Sequence, residues 1–351
     1  MRKTIGLIML LLLSLASCDV HEWPETPEYV KVHLRLNYET AMTKWEHTYD
    51  GLNLVEVGLG ETYDNHQEDG VIRYIIRTYP VSKKQRTSQD FIQEFVLTKD
   101  ISEGYDHEVT LDLLPGDLKL MVWSDLVENQ GDLYYHDASV FAEIQLTGDH
   151  VGNTDYRDAF RGTGDLSLVA DIVERLPDTL DVAMQRPLAK FELVTTDVKE
   201  FVDKEVTRLT ASSNDGFSSS EDVPTRTVNL EDYKVVFYYV GFMPYVYSMY
   251  TDKPVDSSTG VIFESSMKKL TDSEASVGFD YVLVNGHESE VAIQVGIYDE
   301  KGTQLSLSEP IGVPLMRNRH TLLTGMFLMS EASGGVTINP DFDGDYNLIF
   351  P

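Results

Sequence analysis

From Val30 onward, the apolar residues Val30, Val32, Leu34 and Leu36 alternate with Lys31, His33, Arg35 and Asn37. A period of two puts the two sets on opposite faces of a pleated chain, so the segment reads as a half-buried β-strand. His33 falls on the polar face and reads as a surface residue, not a ligand. Similar signals recur at residues 71–79, 91–97, 109–113, 118–123 and 133–135, each bounded by Gly, Pro, Asp or Asn. They resume at 188–195, 233–241, 261–264, 281–284 and 291–298, then in a block over 311–329 and a terminal run over 346–350. Pro115-Gly116 is the clearest turn, with a strand entering and another leaving. Helix is expected only at residues 155–160 and 197–201. Residues 211–227, dominated by Ser, Asp and Glu, read as a loop.

Many short strands separated by turn signals imply an all-β chain of sandwich type. With 351 residues, two domains are expected. The composition shifts over residues 174–185, which places the division there, giving an N-terminal β-sandwich at 29–180 and a C-terminal one at 181–351.

The chain opens differently. Arg2 and Lys3 precede an apolar run from residue 5 to Leu15, then the small pair Ala16 and Ser17, then Cys18. Residues 1–17 have the form of a signal peptide. The run falls short of the roughly 20 apolar residues that span a bilayer. Leu15-Ala16-Ser17-Cys18 resembles the bacterial lipobox, whose cysteine is cut free and acylated. The resemblance implies an N-palmitoyl and S-diacylglycerol cysteine at Cys18, enough acyl chain for stable anchoring. The chain has 1 Cys, so an internal disulfide and a CxxC metal site are both excluded. Residues 18–28, with Pro24 and Pro27 among charges, read as a lipidated spacer.

A formal net charge of −30 opposes binding to nucleic acid and gives no basic patch for anionic lipid, so the lipid itself must hold the membrane. Catalytic patterns are missing: the sequence has no GxSxG elbow, HExxH or phosphate loop. No catalytic residue, metal ligand or cofactor is assigned, and the chain reads as a non-enzyme. Asp341-Phe342-Asp343-Gly344-Asp345 could offer oxygens to Ca²⁺, but an Asp-Gly turn is the reading favoured. The cluster Tyr238, Tyr239, Phe242, Tyr245, Tyr247 and Tyr250 suits either a sugar platform or core packing, with core favoured.

Several strings are more specific than composition. Arg186-Pro187-Leu188-Ala189-Lys190-Phe191-Glu192, Tyr239-Val240-Gly241-Phe242-Met243-Pro244, and the run from Ile311 through Arg317-Asn318-Arg319-His320-Thr321 to Thr324-Gly325 resemble the minor-fimbrium anchor lipoproteins of Bacteroidales. So do Cys18 to Trp23 and Phe342 to Tyr346. The resemblance covers essentially the whole mature chain. It implies two transthyretin-like Greek-key sandwiches in tandem and a lipid-anchored place in the outer membrane, surface-exposed at the base of a type V fimbria. The partners it implies are fimbrial stalk subunits, joined by β-strand complementation; a host or bacterial surface ligand would be met only indirectly, and elongation could end at the anchor. A tip or accessory adhesin, and a glycan-binding surface lipoprotein, are the alternatives. The run 346–350 reads as the second domain's own final strand rather than a donor strand. Lys44 makes a poor substitute for the arginine at which stalk subunits are cleaved, so the N-terminal strand is expected to be retained.

Overall fold

The structure is a computed structural model that describes residues 28–81, 90–169, 179–213 and 227–329. Leu15, Ala16, Ser17 and Cys18, the 341–345 turn and the 346–350 strand lie outside the described residues.

Strand β1 (Val30–Tyr38) takes the expected alternation, with Val32, Leu34 and Leu36 buried and the residues between them exposed or half-buried. It lies at the centre of a three-stranded sheet, between β6 (His107–Leu113) and β11 (Leu180–Met184). A four-stranded sheet faces it, in the order β10 (Ala159–Leu168), β7 (Gly116–Val127), β4 (Val71–Pro80), β5 (Gln93–Asp100). Leu34, Leu36, Ile72, Tyr74, Ile76, Leu120, Val122 and Met184 fill the space between. Each such fully buried aliphatic side chain stabilises by about 1.5–3 kcal/mol. β7 is buried almost throughout because both of its faces are covered. Leu120 and Val122 point into this core, while Met121 and Trp123 point out of the sandwich into another.

The second sandwich packs a six-stranded sheet against a smaller one. The large sheet runs β17 (Lys268–Lys269), β18 (Ala275–Leu283), β12 (Leu188–Thr195), β22 (Arg319–Gly325), β2 (Ala41–Tyr49), β3 (Leu54–Asp64). Opposite it lie β16 (Ile262–Ser266), β13 (Lys234–Tyr239), β19 (Ser289–Tyr298) and β20 (Gln304–Leu307), with β21 (Ile311–Leu315) also pairing β19. Phe191, Leu193, Val235, Phe237, Ile293, Val295 and Leu323 are among its core residues. The one α-helix among the described residues, α1 (Val198–Ser213), packs Val198 and Phe201 into it.

The chain is thus two β-sandwiches in tandem, but two segments lie across a division at residue 180. β2 and β3, early in the chain, complete the large sheet of the second sandwich, where β2 runs parallel to β22. β11 runs parallel to β1 in the first. A further small sheet bridges the halves, with β9 (Ile144–Leu146) paired to β14 (Met243–Ser248). Beneath it Ile75, Tyr79, Trp123 and Phe141 meet Leu188, Tyr247, Tyr281 and Leu283 in a third core.

Three local expectations need correction. Residues 155–160 are not a helix: Thr154 caps a single 3-10 turn over Asp155–Arg157, and β10 follows at once. Residues 133–135 are not a strand; pairing starts at His136–Asp137. The helix expected at 197–201 continues to Ser213, into the segment read as a loop.

Candidate assembly site

Two structural features bear on function: the joint between the sandwiches, and a free sheet edge. The joint is built on Arg186, wholly buried between β11 and β12. Its Nε donates to both oxygens of Asp158 at 3.0 and 2.8 Å. Its Nη1 donates to the carbonyl oxygens of Glu39 at 3.1 Å and Thr40 at 2.7 Å, the two residues linking β1 to β2. Nη2 donates to the carbonyl of Asn65, and the guanidinium lies over the Phe160 ring, 4.7 Å from its centroid. Only a guanidinium presents enough donors in one plane to satisfy that set. Burial raises the Asp158 carboxyl above its usual range, and Arg186 opposes the rise.

The rest of the joint follows the same rule that buried charge is paired. Lys190 reaches Asp155 at 2.7 Å and lies over the Phe279 and Tyr281 rings. Tyr281 Oη donates to Asp155 at 2.5 Å. Asp280, fully buried, receives Arg157 at 2.5 Å, His150 at 2.7 Å and the Tyr239 hydroxyl at 2.6 Å. Burial alone would raise Asp280; Arg157, His150 and Tyr239 hold it below the ordinary carboxylate value. His320 lies 3.2 Å from Glu192, with the Tyr63 hydroxyl 2.7 Å from its Nδ1. Arg317 pairs with Asp252 at 2.7 Å, and Thr321 Oγ1 donates to Pro314 O at 2.6 Å. Of the strings that carry the resemblance, the one around Arg186 ties the halves directly, while Tyr239 does so through Asp280 and Arg157, and Arg317 through Asp252, which also pairs with Arg161 of β10 at 3.1 Å. Among the described residues, no group of three His, Cys, Asp or Glu side chains could hold a metal ion.

Of the aromatic cluster, Tyr239 and Tyr247 are buried in cores. Tyr245 is half-buried and donates to Leu146 O at 2.8 Å; Tyr238 meets the Tyr298 hydroxyl at 2.6 Å; Phe242 is exposed. They are spread over several environments and make no single platform. His33 is on the surface, 2.7 Å from Thr110 Oγ1.

One sheet edge is β3, whose only partner among the described residues is β2. Its outer row of backbone N–H and C=O groups is a template for another strand. Val55, Val57 and Leu59 are 56%, 62% and 61% exposed on it. Two register shifts against β2, between Thr43 and Trp45 and between Glu46 and His47, bend the strand. It is held from behind by Glu56, which accepts from Trp45 Nε1 at 2.9 Å, and by the Lys44–Glu61 pair at 2.6 Å. Glu56, Glu61 and Asp64 are exposed on β3 beside that aliphatic row of three, whereas the edge strand β5 exposes the single aliphatic Val96 with Glu94 and Asp100. The sequence reading overlooked β3, although Val55, Val57 and Leu59 alternate with Glu56, Gly58 and Gly60 in it. No helix among the described residues is long and apolar enough to cross a membrane.

No curated protein matches the chain. Solved structures similar to it include the fimbrial anchor protein Mfa2 of Porphyromonas gingivalis, at 10% identity over 80% of this chain and 82% of that one, with a TM-score of 0.38. A fimbrial assembly protein of Parabacteroides distasonis is 11% identical over 85% and 91%, TM-score 0.38. A candidate polysaccharide-binding protein of Bacteroides thetaiotaomicron is 9% identical over 79% and 80%, TM-score 0.39. These TM-scores are all below 0.5. The family model described as a family of unknown function, DUF6562, matches residues 26–351, and the chain belongs to that family.

Proposed function

We propose that the protein is the lipid-held anchor of a surface fimbria, tethered to the outer membrane through Cys18 and joined to a stalk subunit by strand addition at β3. The observation that carries this reading is the outer edge of β3, eleven residues long with three exposed aliphatic side chains and no partner strand among the described residues. Soluble proteins usually blunt such edges with charge or cover them, because an exposed apolar edge invites another chain. Main-chain hydrogen bonds would supply affinity and the exposed side chains specificity. The sequence at Leu15 to Cys18 supports the other end of the tether, and its resemblance to a lipobox supplies the chemistry. Catalysis has no part in this reading.

Placing Lys at both Val57 and Leu59 tests the edge. Both side chains are exposed, so stability should change by no more than about 0.5 kcal/mol. Cells carrying the double variant are expected to keep normal amounts of the protein while losing filaments recovered with it in pull-downs. Undiminished recovery of filaments would reject β3 as the joining edge.

A further inference from the structure

The directions of the strands carry a mechanical consequence. β2 and β22 run parallel through seven paired positions, from Thr43 opposite Arg319 to Tyr49 opposite Gly325. The chain enters β2 from its N-terminal side and leaves β22 toward its C-terminus. A pull between the two ends therefore slides these strands past each other along their axes and loads all seven positions together. β1 repeats the arrangement against β11, from Leu34 opposite Leu180 to Tyr38 opposite Met184. β12 in turn runs parallel to β22, from Lys190 opposite His320 to Thr195 opposite Gly325.

The chain thus passes twice from the first sandwich into the second, β1 into β2 and β11 into β12, side by side. The passages are joined at their midpoint: Glu39 N donates to Met184 O at 2.9 Å, and Arg186 from one holds the carbonyls of Glu39 and Thr40 in the other. We propose that these two crossovers form a shear clamp that makes both sandwiches yield to a lengthwise pull as one unit. The proposal concerns a pull between the two ends of the chain and stands apart from strand addition at β3.

Single-molecule force spectroscopy tests it on the mature, unlipidated chain, gripped through the thiol of Cys18, the only cysteine, and a C-terminal tag. The clamp predicts one rupture that frees roughly 300 residues, from Val30 to Gly325, or about 1000 Å of extended chain. A second grip uses Cys18→Ser with Leu52→Cys, an exposed position in the turn after β2. Both handles then sit at the same end of the β2–β22 pair, which opens one position at a time, and the rupture force should fall several-fold. Two ruptures of roughly half that length each, or equal forces from the two grips, would overturn the clamp. The tethering reading is overturned by a different result, filaments retained on cells that carry Cys18→Ala, which leaves the force traces unaffected.

Discussion

His136 is 1% exposed, sits against the Trp123 ring, and finds no hydrogen-bond partner for either ring nitrogen among the described residues. Burial, with the positive charges of Arg157 and Arg73, pushes its pKa from 6.5 down to about 3. The folded protein therefore keeps this ring neutral, while the unfolded chain takes up a proton near 6.5. That difference stabilises the fold fully above pH 6.5 and is lost as pH falls from 6.5 toward 3. By pH 5 the loss amounts to about 2 kcal/mol. Urea unfolding at pH 7 and pH 5 should show His136→Phe losing about that much less than the parent on acidification; equal losses would contradict the assignment. His136 also marks a limit of reading hydropathy, as does His47, 4% exposed in β2. Both are polar by type yet buried, and each hid the strand it belongs to.

At the scale of elements, the strands that could be read were those with one clean face or a continuous apolar run. β1, β4, β12 and β19 fall close to where their patterns put them. β2 was missed because Trp45, His47 and Tyr49 face inward between Lys44, Glu46 and Thr48, so a buried histidine breaks the apparent alternation. β10 was missed because it is glycine-rich, and the structure requires at least one of those glycines. A Cβ on Gly162 would lie 2.6 Å from Met184 Sδ and 2.7 Å from Val182 Cγ1, where β11 packs over it. Arg186 was visible only as part of a string, with nothing local to say that it pins two crossovers. Arg186→Met would leave Asp158 buried and four carbonyl and carboxylate groups without their donor. Its unfolding free energy in denaturant should fall by about 3–5 kcal/mol, and adding Asp158→Asn should recover part of it. A loss below about 1 kcal/mol would mean that the crossovers are held by packing alone.

Across the whole molecule, the tandem sandwiches follow from short strands and turn signals, but the exchange of strands between them could not be read from the sequence. The parallel pairing of residues 43–49 with 319–325 joins segments far apart in the chain, and no local period reports a partner at that distance. The free edge of β3 had the same standing, since a strand's pattern says which face is buried and not whether its outer neighbour exists. The proposed tether, by contrast, rests on the sequence alone, in the resemblance of Leu15 to Cys18 to a lipobox. A fimbrial anchor needs both ends: a lipid that keeps it in the membrane and an edge that keeps a filament on it. The central test is a Cys18→Ala strain compared with its parent by electron microscopy of cells and by assay of filaments in the medium. The anchor reading predicts filaments released into the medium with the protein still attached to them, whereas filaments held on the cells in parental amount and length would contradict it.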